Sequence, residues 1–449
     1  MGAMDKFARL SALKPVRGFP AKPPELRAPN EEDPVSRLLG GGIARNHYGD
    51  HLAIRNWFST PELAAPSPIA LELLSQSRDA GLSRGMRAVL ENPEKWLFLD
   101  TETTGLAGGT GTYAFLVGLA WWDAGGLQVE QLFLRDFSEE HSLLYELAER
   151  LAERPVLVTF NGKSFDWPLL ENRFTMTRAI RIPQLAAHLD LLHPARALWR
   201  LRLGSVRLVE LERHVLDAAR LGWRREDDIA SAMIPQYYFD YLRGFSAQPL
   251  AGVVKHNQMD LRGLAALSGK INHMLENAGE GASLFESLDL LGLSRFLQRR
   301  GRKDLAHDAC SQALDLGLPE EFRPQATREL AQMARQRGEA ERAASLWQEL
   351  VSHPEDGVLA CEQLAIHYER REKNLARALE FVELGLKKTR QQMARSRDPY
   401  LSDRARRRAR KLVCRQQRLR HRIAKDQAAG RASLLDIPAM AARSRQRAR

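Results

Sequence analysis

The sequence predicts a mixed α/β domain followed by an array of paired α-helices. Three observations carry that prediction. Between residues 93 and 278, three apolar runs follow one another across short turns, and helical and strand patterns then alternate, as in a mixed sheet with flanking helices. From 285 to 395 the apolar residues recur with helical periodicity, and three segments align at near-constant spacing. Hydrophobic residues make up 44% of the 449, enough to bury two sizeable cores.

Taken in order, residues 1–40 contain "KPVRGFPAKPPELRAPNEEDP" and read as a flexible Pro-rich leader. Residues 41–92 form a small lead-in. "GIARNHYGDHLAIRNWF" has a turn at Tyr48-Gly49-Asp50 and reads as a hairpin, and 67–92 read as helical, with Ile69, Leu71, Leu73 and Leu74 apolar. The α/β domain, 93–278, begins with the strand "KWLFLD". "YAFLVGLAWW" is a second strand and "LQVEQLFLRD" a third, reached through the turn "DAGG". "SEEHSLLYELAERLAER" is an amphipathic helix with Ser138 placed as its N-cap. "PVLVTFN" is a strand, "FDWPLLENRF" opens a helix, "HLDLLHP" begins with a short strand and "RLVELERHVL" is helical. "PLAGVVKHNQMDLRGLAALSGKINHML" is one long helix.

In 285–395 the segments "GRKDLAHDACSQAL", "GEAERAASLWQEL" and "EKNLARALEFVEL" align, with a small residue after the turn at Ala306, Ala343 and Ala378 and spacings of 37 and 35. This resembles a tetratricopeptide-like solenoid, whose units run about 34 residues as two antiparallel helices. The alternative is a helical bundle with chance periodicity.

The formal charge of +11 is unevenly placed. Residues 387–449 hold 21 Lys+Arg against 4 Asp+Glu, which leaves −6 for the rest. Residues 396–449 are therefore a basic tail, able to supply sequence-independent, salt-sensitive affinity for nucleic acid. Cys310, Cys361 and Cys414 lie far apart with no CxxC pairing, which argues against a disulfide framework and a zinc site. The N-terminal residues show no apolar signal segment. The longest uncharged window, which runs through Thr104–Trp122, is apolar only from Tyr113, short of the ~20 residues a membrane span needs. A cytoplasmic protein without a membrane segment is expected.

The chemistry concentrates in three places. Asp100 and Glu102 end the first strand and, two positions apart, share one face. Strand ends are where α/β sheets build sites, and carboxylates there are costly to bury unpaired. In "VLVTFNGKSFDWPLL", Asn161-Gly162 make a turn and Phe165-Asp166 enter a helix, where Asp166 also suits an N-cap. In "VVKHNQMDLRGLAAL", His256 and Asp260 stand at i and i+4 on one helix face.

"FLDTETTGL", then "FNGKSFD" about 60 residues on, then "HNQMD" about 95 further, resemble the DEDD (DnaQ-like) 3′→5′ exonuclease superfamily, with its ribonuclease H-like fold. The strings "TETTGLAGGTGTYAFLVG", "FNGKSFDWPLLENRF", "DLLHPARALWR" and "IPQYYFDYL" are most similar to its YprB-like ribonuclease H-like branch. The resemblance covers roughly residues 90–275. It implies an α/β ribonuclease H-like domain with Asp100, Glu102, Asp166 and Asp260 as ligands of two Mg²⁺ or Mn²⁺ ions, hard cations that oxygen donors select. It implies two-metal hydrolysis of phosphodiester bonds, with His256 as acceptor of the attacking water's proton. It assigns Thr103, Thr104, Leu106, Asn161 and Phe165 to substrate binding. The chain departs from the family's third motifs, H-x₄-D and Y-x₃-D, by having H-x₃-D, so His256 occupies the place usually given to Tyr.

The resulting expectation is a metal-dependent nuclease, a 3′→5′ exonuclease on single-stranded DNA or RNA, with the helical repeats docking a protein partner. The rival readings are a non-catalytic nucleic-acid-binding adaptor and an endonuclease with the same metal site. Other groups have structural alternatives. "AGGTGT" (107–112) lacks the G-K-[ST] of a P-loop. His188, Asp190 and His193 fit a strand-to-helix junction. Arg196, Arg200, Arg202 and Arg207 suit phosphate contacts or a solvated face, and Tyr237-Tyr238-Phe239 suit base stacking or a core.

Overall fold

The computed structural model describes residues 33–62, 67–74, 84–105, 111–226, 228–278, 285–395 and 406–428. Most of the Pro-rich leader lies outside these. Its end, Pro34–Leu39, is a short helix (α1) closed by Gly40 in the left-handed region.

Among the described residues seven strands form one sheet: β1 (Gly42–Asn46), β2 (Gly49–Phe58), β3 (Trp96–Thr103), β4 (Ala114–Asp123), β5 (Gly126–Phe133), β6 (Val156–Thr159) and β7 (Ala187–Asp190), in the order β1-β2-β5-β4-β3-β6-β7. Pairing is antiparallel from β1 to β3 and parallel from β3 through β6 to β7. The expected hairpin forms, but its separation as a lead-in needs correcting. β2 pairs with β5 from Leu52↔Phe133 to Phe58↔Leu127, so the hairpin belongs to the α/β domain. Leu52 and Ile54 are buried, and β2 covers an edge of β5 that would otherwise be open.

The helices of this domain are α2 (Pro68–Leu74), α3 (Arg84–Glu91), α4 (Glu140–Glu153), α5 (Asp166–Thr177), α6 (Leu192–Leu203), α7 (Leu208–Leu211), α8 (Ile234–Leu242) and α9 (Gln248–Glu276). A π-helical turn, Glu212–Leu216, continues α7. Ser138 does not cap α4. Asp136 does the capping one turn earlier, accepting from the Ser138 N–H at 2.8 Å. At 29 residues α9 is about 43 Å long. The pleat of β3 divides the core, with Trp96 and Phe98 entering one apolar cluster and Leu97 and Leu99 the other. All four are at most 1% exposed, which explains the unbroken apolar run in a central strand.

Three helix pairs follow: α10 (Ser287–Arg299) with α11 (Lys303–Asp315), α12 (Arg323–Gln336) with α13 (Ala340–Glu349), and α14 (Gly357–Arg370) with α15 (Leu375–Arg395). Ala306, Ala343 and Ala378 are buried early in the second helix of each pair, where helices must approach closely. The first pair shares a core with the α/β domain. At Gly292 a Cβ would lie 2.4 Å from the Leu198 carbonyl oxygen of α6, so only glycine permits that crossing. Arg202 forks onto Asp289 at 2.7 Å through both nitrogens, which takes it out of the free basic cluster expected on this helix. Tyr238 is fully buried and stacks on Phe115 at 4.0 Å, which makes it core and not a base platform.

Part of the basic tail, 406–428, is a helix (α16). Leu412 and Leu419, seven residues apart, are buried in the cluster of the last two pairs. Arg415, Arg418 and Arg422 all reach Glu369 of α14. Among the described residues, no helix is long and apolar enough to cross a membrane.

Candidate active site

β3 is the strand at which pairing changes from antiparallel to parallel, and its C-terminal end opens where sheets of this kind place ligands. Asp100 follows Trp96 and Phe98 on one face. Its Oδ2 accepts from Asn257 Nδ2 at 2.8 Å, and Asn257 Oδ1 accepts from Gln131 Nε2 at 2.9 Å. Opposite Asp100 in the sheet stands Gly118, where a Cβ would come within 2.1 Å of Asn257 Oδ1. The absent side chain is what lets α9 bring Asn257 down onto the strand.

The register shifts between Glu102 and Thr103, a bulge of the kind that re-aims side chains at strand ends. Thr103 Oγ1 donates to the Gly105 carbonyl, and Thr104 Oγ1 accepts from the Tyr113 N–H. Both hydroxyls hold the turn after β3. Leu106 lies outside the described residues. Asp166 is the first residue of α5, with Phe165 in the cap position, and its Oδ1 accepts from Thr101 Oγ1 at 2.5 Å. Asn161 has φ +70 and opens the turn that precedes α5. Phe165 is 59% exposed beside Asp166.

From α9, His256 and Asp260 face the same region, with Nε2 to Asp260 Oδ2 at 3.6 Å. His256 Nδ1 meets Asp228 Oδ1 at 2.7 Å, and Nε2 lies 3.4 Å from Ser231 Oγ. Arg225 links the group. It is held by Glu212, with Nη2 at 2.6 Å from Oε1, reaches Asp228 at 2.9 Å, and contacts Asp260. Glu212 lies in the π-helical turn and is buried against α9 at Gly263, where a Cβ would lie 2.2 Å from its Oε1. Such turns are frequent at functional sites.

Electrostatics shows how near the carboxylates are to one another. Asp100 is pushed well above the usual carboxylate range, first by burial and then by Asp260, Asp166 and Glu102, against the Asn257 hydrogen bond. Glu102 is pushed up by burial, Asp260, Asp166 and Asp228, with Arg225 opposing. Burial raises Asp166 as well, with the Thr101 hydrogen bond opposing. Asp228 differs: burial pushes it up, but His256 and Arg225 outweigh that and hold it below the usual range. Asp100, Glu102, Asp166 and Asp260 each keep some contact with solvent, so a ligand has a path to them.

The donor set is all carboxylate oxygen, carries excess negative charge and has one guanidinium beside it. That chemistry suits hard divalent cations. As arranged, though, no three His, Cys, Asp or Glu side chains among the described residues stand ready to hold an ion; Asp100, Asp166 and Asp260 are hydrogen-bonded instead to Asn257, Thr101 and Arg225.

His188 is turned to Thr159 Oγ1 at 2.9 Å, and burial drives it down to about 4. Asp190 accepts from the N–H groups of Asn161, Lys163 and Leu192. Both hold the β6–α5 turn in shape. Sequence reasoning missed Arg225 and Asp228, which sit in aperiodic chain, missed Glu212, although it lies in the helical segment "RLVELERHVL", and missed Asn257, although it lies inside the "HNQMD" motif.

Residues 97–272 match the family described as the RNase_H superfamily and are an RNase H-like domain. The chain is also 29% identical over 319 residues to "Uncharacterized protein YprB" of Bacillus subtilis (strain 168), covering 70% of this chain and 75% of that protein.

Proposed function

We propose that the protein is a divalent-metal-dependent 3′→5′ exonuclease of the DEDD type, acting on single-stranded nucleic acid. The observation that carries this reading is the gathering of Asp100, Glu102, Asp166 and Asp260, with His256, at the end of β3, where Asp260 and Asp166 raise the affinity of Asp100 and Glu102 for positive charge. Mg²⁺ or Mn²⁺ bound there would supply an acidified water and charge neutralisation at the reacting phosphate. Asp100 and Glu102 from β3, Asp166 from α5 and Asp260 from α9 would hold the ions from three elements. His256 Nε2 would take the proton of the attacking water. Thr103, Thr104, Leu106, Asn161 and the exposed Phe165 would seat the terminal nucleotide, Phe165 by stacking. The helix pairs would serve as a tetratricopeptide-like protein-docking module, and the basic tail as a tether to nucleic acid.

One observation favours a second reading, a nucleic-acid-binding adaptor without catalysis. Arg225 already neutralises part of the charge on Asp260. A digestion time course separates the two. It uses end-labelled single-stranded DNA and RNA with Mg²⁺, Mn²⁺ or EDTA, and compares wild type with Asp100→Ala/Glu102→Ala. Metal-dependent shortening from the 3′ end, absent in the variant, is expected. Binding without cleavage would establish the adaptor, and cleavage of a circular substrate an endonuclease.

A further inference from the structure

We propose that Asp228 is the positioning residue that holds His256 with its proton on Nδ1, leaving Nε2 as the free acceptor turned toward the carboxylates. Its catalytic meaning rests on the nuclease reading, but the imidazole state it specifies does not. The argument begins with the donor inventory. An ionised carboxylate only accepts hydrogen bonds, so the 2.7 Å contact between Asp228 Oδ1 and His256 Nδ1 requires the hydrogen to be on Nδ1. In the neutral ring Nε2 then carries the lone pair. Its neighbours agree: the Ser231 hydroxyl at 3.4 Å has a proton to donate, and Asp260 Oδ2, at 3.6 Å, is beyond hydrogen-bond reach.

Asp228 is itself pinned. Its Oδ1 also accepts from the Ile229 N–H at 2.9 Å, and Oδ2 from Arg225 Nη1 at 2.9 Å. Arg225 is fixed in turn by its fork on Glu212, and Glu212 by the space left at Gly263. The chain Gly263–Glu212–Arg225–Asp228–His256 therefore runs from the middle of α9 out through a loop and back to α9, four residues from Asp260. Each link fixes the orientation of the next. A histidine meant only to fill space would need none of them, whereas a proton acceptor needs a fixed ring and a fixed tautomer.

The test uses the full-length protein with ¹⁵N-labelled histidine. Long-range ¹H–¹⁵N spectra at alkaline pH report which nitrogen is protonated, and the His256→Gln variant assigns that signal among the 12 histidines. The expected wild-type result is a protonated Nδ1. In Asp228→Leu no acceptor faces Nδ1, and the proton moves to Nε2. The same variant loses kcat by roughly 10–100-fold, in the range of other orienting partners, with KM for a single-stranded oligonucleotide and affinity for Mn²⁺ unchanged. Asp228→Glu, which keeps the acceptor, recovers the Nδ1–H form and most of the rate. A wild-type ring protonated on Nε2, an unchanged tautomer in Asp228→Leu, or a parallel loss of Mn²⁺ affinity would each overturn the assignment. If the wild type cleaves nothing, the nuclease reading falls, and the tautomer alone decides the role of Asp228.

Discussion

Two groups of largely buried carboxylates are treated in opposite ways. Glu369 on α14 meets Arg415, Arg418 and Arg422 of α16. Burial pushes it up, but these arginines outweigh that and bring it below the usual range. Glu130 in β5 is likewise clasped by Arg55 and Arg150, each at 2.6 Å, and lowered. At the end of β3 several carboxylates repel one another, and Asp100 and Glu102 are driven up. A carboxylate kept for architecture comes with its cations in the same chain. At the end of β3 Arg225 offsets only part of the negative charge, and the folded protein bears the cost of the rest in stability.

The largest effect that would break this comparison comes from Asp100→Asn. Activity in the digestion assay should fall below detection, while the metal-free protein becomes more stable, because one repelling charge is gone and the Asn257 contact survives. A gain of about 1 kcal/mol, or ~2–4 °C in melting temperature, is the expected size. A loss of stability in EDTA would show that Asp100 is a structural group after all.

Gly118→Ala tests the support of the pocket without touching a carboxylate. The new methyl would meet Asn257 Oδ1 at 2.1 Å, so α9 or Asn257 must move, and the overpacking should cost about 1–3 kcal/mol. Cleavage should fall as well, because Asn257 leaves Asp100. Unchanged cleavage in a destabilised protein would detach the Gln131–Asn257–Asp100 chain from function.

Glu369→Ala attacks the architectural side. Arg415 has a side-chain exposure of 15%, but Arg418 and Arg422 are 52% and 46% exposed, so water takes over much of what they lose. The expected cost is about 1–2 kcal/mol, well under that of breaking a fully buried pair. It should appear as faster proteolysis within 406–428, with cleavage of short oligonucleotides unchanged.

Much of this contrast was legible in the sequence, and the part that was not has a physical reason. Asp100 and Glu102 stand at the end of a strand pattern, Asp166 at the start of a helix and Asp260 within the long helix four residues after His256, so strand and helix patterns placed each of them and the order of the motifs joined them. Glu212, Arg225 and Asp228 lie in or beside a loop with no period, and only the folded chain brings them to α9. The hairpin was found from its turn, but its pairing with β5 is a long-range choice that local pattern does not encode. In the basic tail, charge density drew attention from Leu412 and Leu419, whose spacing of seven already marks a helix with a buried stripe. The role of Glu369 was invisible because its partners lie more than 40 residues away.

The smallest effect is a difference in the sign of a pH slope. Glu369 has a folded pKa below its unfolded value of about 4.3. Its stabilisation is complete above that value and is lost as pH falls through the folded pKa. Asp100 and Glu102 have folded values above their unfolded ones. Between the two, the folded state binds more protons, so in metal-free protein stability falls as pH rises from about 4 toward neutrality. Melting temperature followed against pH in EDTA should therefore fall less steeply with rising pH in Asp100→Asn/Glu102→Gln than in wild type. Glu369→Ala should instead remove part of the loss below pH ~4. Saturating Mg²⁺ should flatten the wild-type curve toward that of the double variant, because the ion removes the repulsion that made the folded state hold protons. If Mg²⁺ leaves the slope unchanged while the double variant flattens it, the carboxylates repel without binding a cation, and Arg225 is the only positive charge the pocket was built to use.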